Sequence, residues 1–166
     1  MSGQGGNRLS PEEKAARQAR TAAARLYAVQ ALFQMEAGGQ SADRVLAEFS
    51  QWRIGRTDED ADMVSAEADE DLFRRVVDGV VNWQSKIDQM TDRGLVAKWP
   101  IARIDPVLRA LFRAAGAELV ASSVPPKVVI TEYVRIAQSF FPEGRESKFV
   151  NAVLDHMARE ARPEAF

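Results

Sequence analysis

Apolar residues along this chain recur every three or four positions rather than every two, and the stretches that keep this spacing predict helices. In the first, Ala22, Leu26, Val29 and Phe33 mark one buried face. Its start is written in Ser10-Pro11-Glu12-Glu13: Ser10 caps free amides, Pro11 suits the first helical position and Glu13 completes a capping box. Gly38-Gly39 stops it after Ala37. Ser41 caps a second, shorter helix through Trp52 that buries Val45, Leu46 and Phe49. A third is expected from Glu70 to Thr91, with Leu72, Val76, Val80, Trp83, Ile87 and Met90 on one stripe and Gly94 ending it. Gly79 inside it costs about 1 kcal/mol relative to Ala unless close packing offsets the loss.

Beyond a break at Trp99-Pro100, Asp105-Pro106 repeats the cap-plus-proline start, and Leu108, Leu111, Ala115 and Leu119 give a fourth core face. Pro125-Pro126 opens a fifth helix carrying Val129, Tyr133, Val134 and Ala137. Residues Phe140 to Gly144 form a turn, and the last helix runs from about Arg145 to Arg159. No stretch alternates as a strand would, and no fixed repeat emerges. The expectation is one all-α bundle over residues 10–160, with a disordered tail at 1–9 and a short tail at 161–166. Between Arg53 and Asp69 the pattern fails and Asp58, Glu59, Asp60, Asp62, Glu67 and Asp69 accumulate. A mobile acidic loop is expected there, dividing the bundle into two packed halves.

Composition narrows the function. With 166 residues, 46% of them apolar, the chain supports a real core. It has no cysteine, which removes disulfides, thiolate metal sites and thiol nucleophiles and is compatible with a reducing cytoplasm. No segment reads as a signal peptide or a membrane span. A net charge of -2 means that any nucleic-acid site must come from local clustering.

Catalytic chemistry finds little support. His156 is the single histidine and reads as a surface residue of the last helix. The carboxylates at 58–62 lack the spaced ligands and central glycine of a calcium loop, and Gly38-Gly39 is a helix stop rather than a phosphate loop. No catalytic residue, metal or cofactor is expected.

Two basic clusters stand out. Lys14, Arg17 and Arg20 follow one another at three-residue spacing, with Arg25 further along, and neighbours at that spacing form a ridge on a helix. Such a ridge suits phosphates and stacked bases, yet taken alone it reads better as a solvated face partly neutralised by Glu12 and Glu13. Arg145, Lys148 and Phe149, preceded by Phe140-Phe141, interleave cations with rings as single-stranded nucleic acid requires. Phe149 also continues into Val150, Val153, Leu154 and Met157, so periodicity leaves it open as core.

The last third carries a recognisable motif. Val124-Pro125-Pro126-Lys127-Val128-Val129-Ile130-Thr131-Glu132, followed by Ser147-Lys148-Phe149-Val150-Asn151-Ala152-Val153-Leu154-Asp155, resembles the signature of the NusB family. RLYAVQALF at 25–33, FRRVVDGV at 73–80 and the segment 105–119 are similar to family segments in the same order. Ala152 replaces a usual Gly, Thr131 stands where Asn is common, and Thr21 to Ala24 reads TAAA where the family often has a dense arginine run.

The resemblance implies an all-helical fold of about six to seven helices in two packed sub-bundles, and a binding role without catalysis. It implies binding of boxA-type single-stranded RNA together with NusE, a small-subunit ribosomal protein, within an RNA polymerase antitermination complex that reads ribosomal RNA operons. Carried over residue by residue, RNA contacts fall on Lys14, Arg17, Arg20, Arg25, Arg145, Lys148 and Phe149, and partner contacts on Phe33, Asp105 and Pro126. The spread of basic residues implies weaker RNA binding or greater reliance on the partner. Two alternatives stay open: a helical interaction module, homodimeric and without RNA, and the NusB-like RNA-binding domain of a ribosomal RNA methyltransferase.

Overall fold

The computed structural model describes residues 8–52, 68–95 and 101–166, and the side chains of Trp52 and Arg145 lie outside that description. Six α-helices are formed by the described residues: α1 (Pro11–Gly38), α2 (Ala42–Trp52), α3 (Glu70–Gly94), α4 (Pro106–Ala121), α5 (Pro126–Phe140) and α6 (Arg145–Ala161). Two 3₁₀ turns, Ile101–Arg103 and Pro163–Ala165, complete them, and no strand occurs among the described residues. The expected acidic loop falls mostly on 53–67, outside the described residues, as does the break at Trp99-Pro100.

The helix starts follow their caps. Ser10 Oγ accepts from the Glu13 amide at 3.1 Å, Asp69 Oδ1 from Leu72 at 3.0 Å and Asp105 Oδ1 from Val107 at 2.7 Å, each satisfying an otherwise orphaned amide. Gly39 closes α1 at φ 64°, in the left-handed region that glycine enters without steric cost.

Helices α3 and α4 run antiparallel through the centre, and small residues set how close they come. A Cβ on Gly116 would lie 2.3 Å from Ile87 Cγ2, and one on Gly79 would lie 3.1 Å from Ala117 Cβ. Gly79 is therefore repaid by close packing, as its place inside a helix required. Helices α1 and α2 cover one side of this pair, with Phe49 of α2 stacked on Phe73 of α3 at 5.5 Å. Helices α5 and α6 lie on the other side. The two halves share one continuous core from Ala24 to Ala158.

Two core expectations change. The buried face of α1 is Ala24, Arg25, Ala28, Val29, Ala31 and Leu32, while Ala22 and Leu26 are half-buried and Phe33 is 38% exposed. Alanines occupy so many positions of α1 that several faces satisfy the spacing, and close packing selects the smallest. Trp83 does not join the stripe of α3 and is 46% exposed. Helix α6 meets α3 further along, at Thr91 and Gly94, and leaves the level of Trp83 open. The segment expected as a tail at 161–166 instead folds back: Arg162 donates to the carbonyls of Leu119 and Glu118 at 3.0 and 2.9 Å, and Arg159 lies over the Phe166 ring.

Candidate nucleic-acid interface

The first three turns of α1, from Pro11 to Arg20, are exposed at every residue, so this part of the helix stands clear of the core. Lys14, Arg17 and Arg20 rise along it at three-residue spacing and pair with no described carboxylate. Three cations on adjacent turns, free to turn toward solvent, form a positive ridge on a chain whose net charge is negative. The ridge is tied to α3 where the Asp69 amide donates to the Arg20 carbonyl at 3.1 Å.

Arg25 does not belong to this ridge. Its guanidinium points into the core and donates two hydrogen bonds to Glu118 of α4, at 2.9 and 3.0 Å. The two side chains are only 6% and 2% exposed. Burial alone would depress the Arg25 pKa, but the hydrogen bonds and charge of Glu118 outweigh it and raise the pKa. A buried cation with its donors spent on a carboxylate has none to offer a phosphate. Tyr133 of α5 is fully buried beside the pair, its hydroxyl without a hydrogen bond of normal geometry. Burial first, and then the Glu118 charge, push its pKa well above the usual tyrosine value. The sequence signal for this pair was present: Glu118 stands alone among apolar residues in AAGAELV, where a lone carboxylate needs a buried partner.

The second cluster lies elsewhere. Arg145 opens α6, and Lys148 is exposed one turn on. Phe149 is half-buried, edge-on to Phe112 of α4 with ring centroids 6.2 Å apart, which places it against the core. Phe112 neighbours Arg113, whose guanidinium reaches Glu36 near the end of α1 at 3.4 Å. From Arg17 to Glu36 is about 28 Å along α1 at 1.5 Å per residue. The two clusters thus sit toward opposite ends of the bundle.

The residues assigned to a partner also divide. Phe33 lines an open groove of about 530 Å³ with Phe49, Val107 and Phe140. Asp105 is exposed at the cap of α4, two residues from Val107, so both belong to this end of the molecule. Arg109 anchors it by donating to Glu36 and to the carbonyls of Ile101, Ala102 and Ile104. Pro126 is buried at the start of α5 and presents no contact surface of its own. The exposed ring of Phe140 completes the groove, a role that its place in a turn motif did not suggest.

Other chemistry is sparse. His156 is exposed on α6, with Nε2 3.5 Å from Glu160. No group of three or more carboxylates and histidines that could hold a metal occurs among the described residues, and the carboxylates at 58–62 lie outside them. No described helix is long and apolar enough to cross a membrane.

Comparison with known proteins places the chain among relatives. Residues 22–159 match the model of the NusB family. The transcription antitermination protein NusB of Maricaulis maris is 48% identical over 158 residues, covering 95% of this chain and 96% of that protein. Among solved structures, NusB of T. maritima is 31% identical with a TM-score of 0.67, covering 87% of this chain and 95% of the other. A crystal structure of antitermination factors NusB and NusE in complex with dsRNA has a TM-score of 0.69 at 23% identity. It covers 86% of this chain and 98% of that one, and it shows the shared fold.

Proposed function

The chain belongs to the NusB family, and from that premise we propose that it is a transcription antitermination factor that binds boxA-type single-stranded RNA together with NusE. Its role is binding rather than catalysis, carried out in the cytoplasm as part of an RNA polymerase antitermination complex on ribosomal RNA operons. The observation that carries this reading is the ridge of Lys14, Arg17 and Arg20, unpaired among the described residues, on a helical segment that stands clear of the core. Cations held at helical spacing contact phosphates without first breaking an internal ion pair, and each arginine can also stack on an unpaired base.

Lys148, exposed near the start of α6 and apart from the ridge, supplies a second and separate phosphate contact. Two weak sites on one strand act together at raised effective concentration, and NusE adds surface to both. The aromatic groove at Phe33, with Asp105 beside it, supports a protein contact at the end of the bundle opposite the ridge. Aromatic side chains in a partly open groove are the usual anchors of such interfaces. The same groove gives a homodimer its most suitable surface.

The test is binding of a boxA-type RNA by the wild type and by a variant carrying Lys14→Ala, Arg17→Ala and Arg20→Ala, with and without NusE. Selective binding that NusE enhances and the triple change weakens is the expected result. Absence of selective binding with NusE present would overturn the reading in favour of a helical module that binds protein alone.

A further inference from the structure

A second groove, of about 410 Å³, lies between α3 and the connection from α4 to α5, and neither the ridge nor the Phe33 groove accounts for it. Its depth comes from small side chains. Gly79 opposes Ala117 and Ala121, and a Cβ on Gly79 would fall 3.1 Å and 3.9 Å from theirs. One wall is the indole of Trp83, the exposed aromatic that helical periodicity assigned to the core. Lys86 places its ammonium over one face of that ring, 5.6 Å from the centroid, in a cation–π contact.

We infer that this groove receives an unpaired base of the bound RNA, stacked on Trp83. The inference rests on the RNA-binding reading and extends it to a surface outside the two basic clusters. A base is a flat ring with a polar edge, and the groove offers the complement of both. Asp78 and Asn82, one helical turn apart, line it with a carboxylate and an amide. A carboxylate repels the phosphate backbone but accepts from an amino group on a base edge, so Asp78 selects for the base rather than the phosphate. Arg75, exposed and without a described ion-pair partner, stands at the rim to hold the flanking phosphate.

Position favours RNA over a protein segment. The Asp69 amide bonds to the Arg20 carbonyl, and Arg75 follows six residues on, about 9 Å along α3 by the helical rise. A strand held by the ridge reaches the groove within a few nucleotides.

The probe is a boxA-type RNA carrying 2-aminopurine at one position at a time, titrated with the protein and NusE. The expected result is quenching at one position by the wild type. Trp83→Ala abolishes that quenching and weakens binding by about 5- to 150-fold, the range for removing one base–aromatic stack. Trp83→Phe retains most of the affinity, and thermal melting is unchanged in both variants because the side chain is exposed. Arg17→Ala with Arg20→Ala weakens binding and leaves the quenched position the same. If that ridge variant loses affinity while Trp83→Ala binds like the wild type, the groove assignment fails and the RNA reading stands. If Trp83→Ala weakens only the affinity for NusE, the groove is a protein contact and the assignment is overturned. If the wild type binds no RNA, both fall together.

Discussion

Arg25 and Glu118, 93 residues apart in the chain, meet in the core as a two-bond ion pair that joins α1 to α4. Removing one partner leaves the other charged and buried, which costs far more than the pair itself contributes. Arg25→Ala or Glu118→Ala is therefore expected to lower stability by about 3–5 kcal/mol in urea unfolding. Arg25→Met combined with Glu118→Leu replaces both charges with apolar side chains and is expected to recover most of that loss. The double variant also separates structure from recognition. RNA affinity unchanged from the wild type would confirm that Arg25 holds the scaffold, whereas a loss with the fold intact would restore it to the interface.

Tyr133 gives the same region a pH signature. Its folded pKa is raised, so the folded state keeps the phenol proton where the unfolded chain releases it. The contribution is complete at neutral pH and is lost as pH rises past the unfolded value of about 10, by about 1.4 kcal/mol per pH unit. Urea midpoints measured between neutral pH and pH 11 should decline on the alkaline side, and Tyr133→Phe should remove much of that decline. At neutral pH the same substitution deletes a buried hydroxyl with no hydrogen bond of normal geometry, so it should cost little or stabilise. An alkaline limb identical in both proteins would show that Tyr133 does not govern it.

The two glycines at the α3–α4 contact should respond differently to alanine. At Gly116 the new methyl would lie 2.3 Å from Ile87 Cγ2, a branched methyl with no freedom to swing aside. Overpacking of this kind costs about 1–3 kcal/mol, more than the roughly 1 kcal/mol that alanine gains over glycine in a helix. At Gly79 the contact is 3.1 Å to Ala117 Cβ, which a small shift relieves, so the helix gain offsets most of the strain. Thermal unfolding should rank Gly116→Ala well below Gly79→Ala. Equal losses would mean that the helices separate freely at both levels.

The contrast between α1 and α4 shows what the chain's local chemistry discloses. Ser10-Pro11 and Asp105-Pro106 announced their helices because caps and prolines act on neighbours in sequence, and the caps stand where that chemistry put them. Charge burial does not work locally. Arg25 lies in the same run as Arg17 and Arg20 and differs from them only because α4 brings Glu118 to it. Trp83 departs from its periodicity for the converse reason. It fits the apolar spacing of α3, but whether a helix covers that level depends on where α6 crosses, a long-range matter. The basic ridge was legible as a pattern, but that it pairs with no carboxylate among the described residues became visible only with the fold.

Salt dependence measures how many cations the RNA meets. A single strand releases counterions with a log–log slope of about −0.7 per phosphate contact, so the three ridge cations alone predict a slope of about −2, and with Lys148 and one neighbour about −3.5. The variant lacking Lys14, Arg17 and Arg20 should bind more weakly and with a slope shallower by about 2. Lys148→Ala alone should change it by only about 0.7. Because the ridge and Lys148 occupy opposite ends of the bundle, their effects should add, as distant independent sites do. Fluorescence anisotropy of a labelled boxA-type RNA across a range of potassium chloride reads each slope directly. A wild-type slope near zero would exclude phosphate contacts as the source of affinity, and a triple variant that keeps the full slope would move them away from α1.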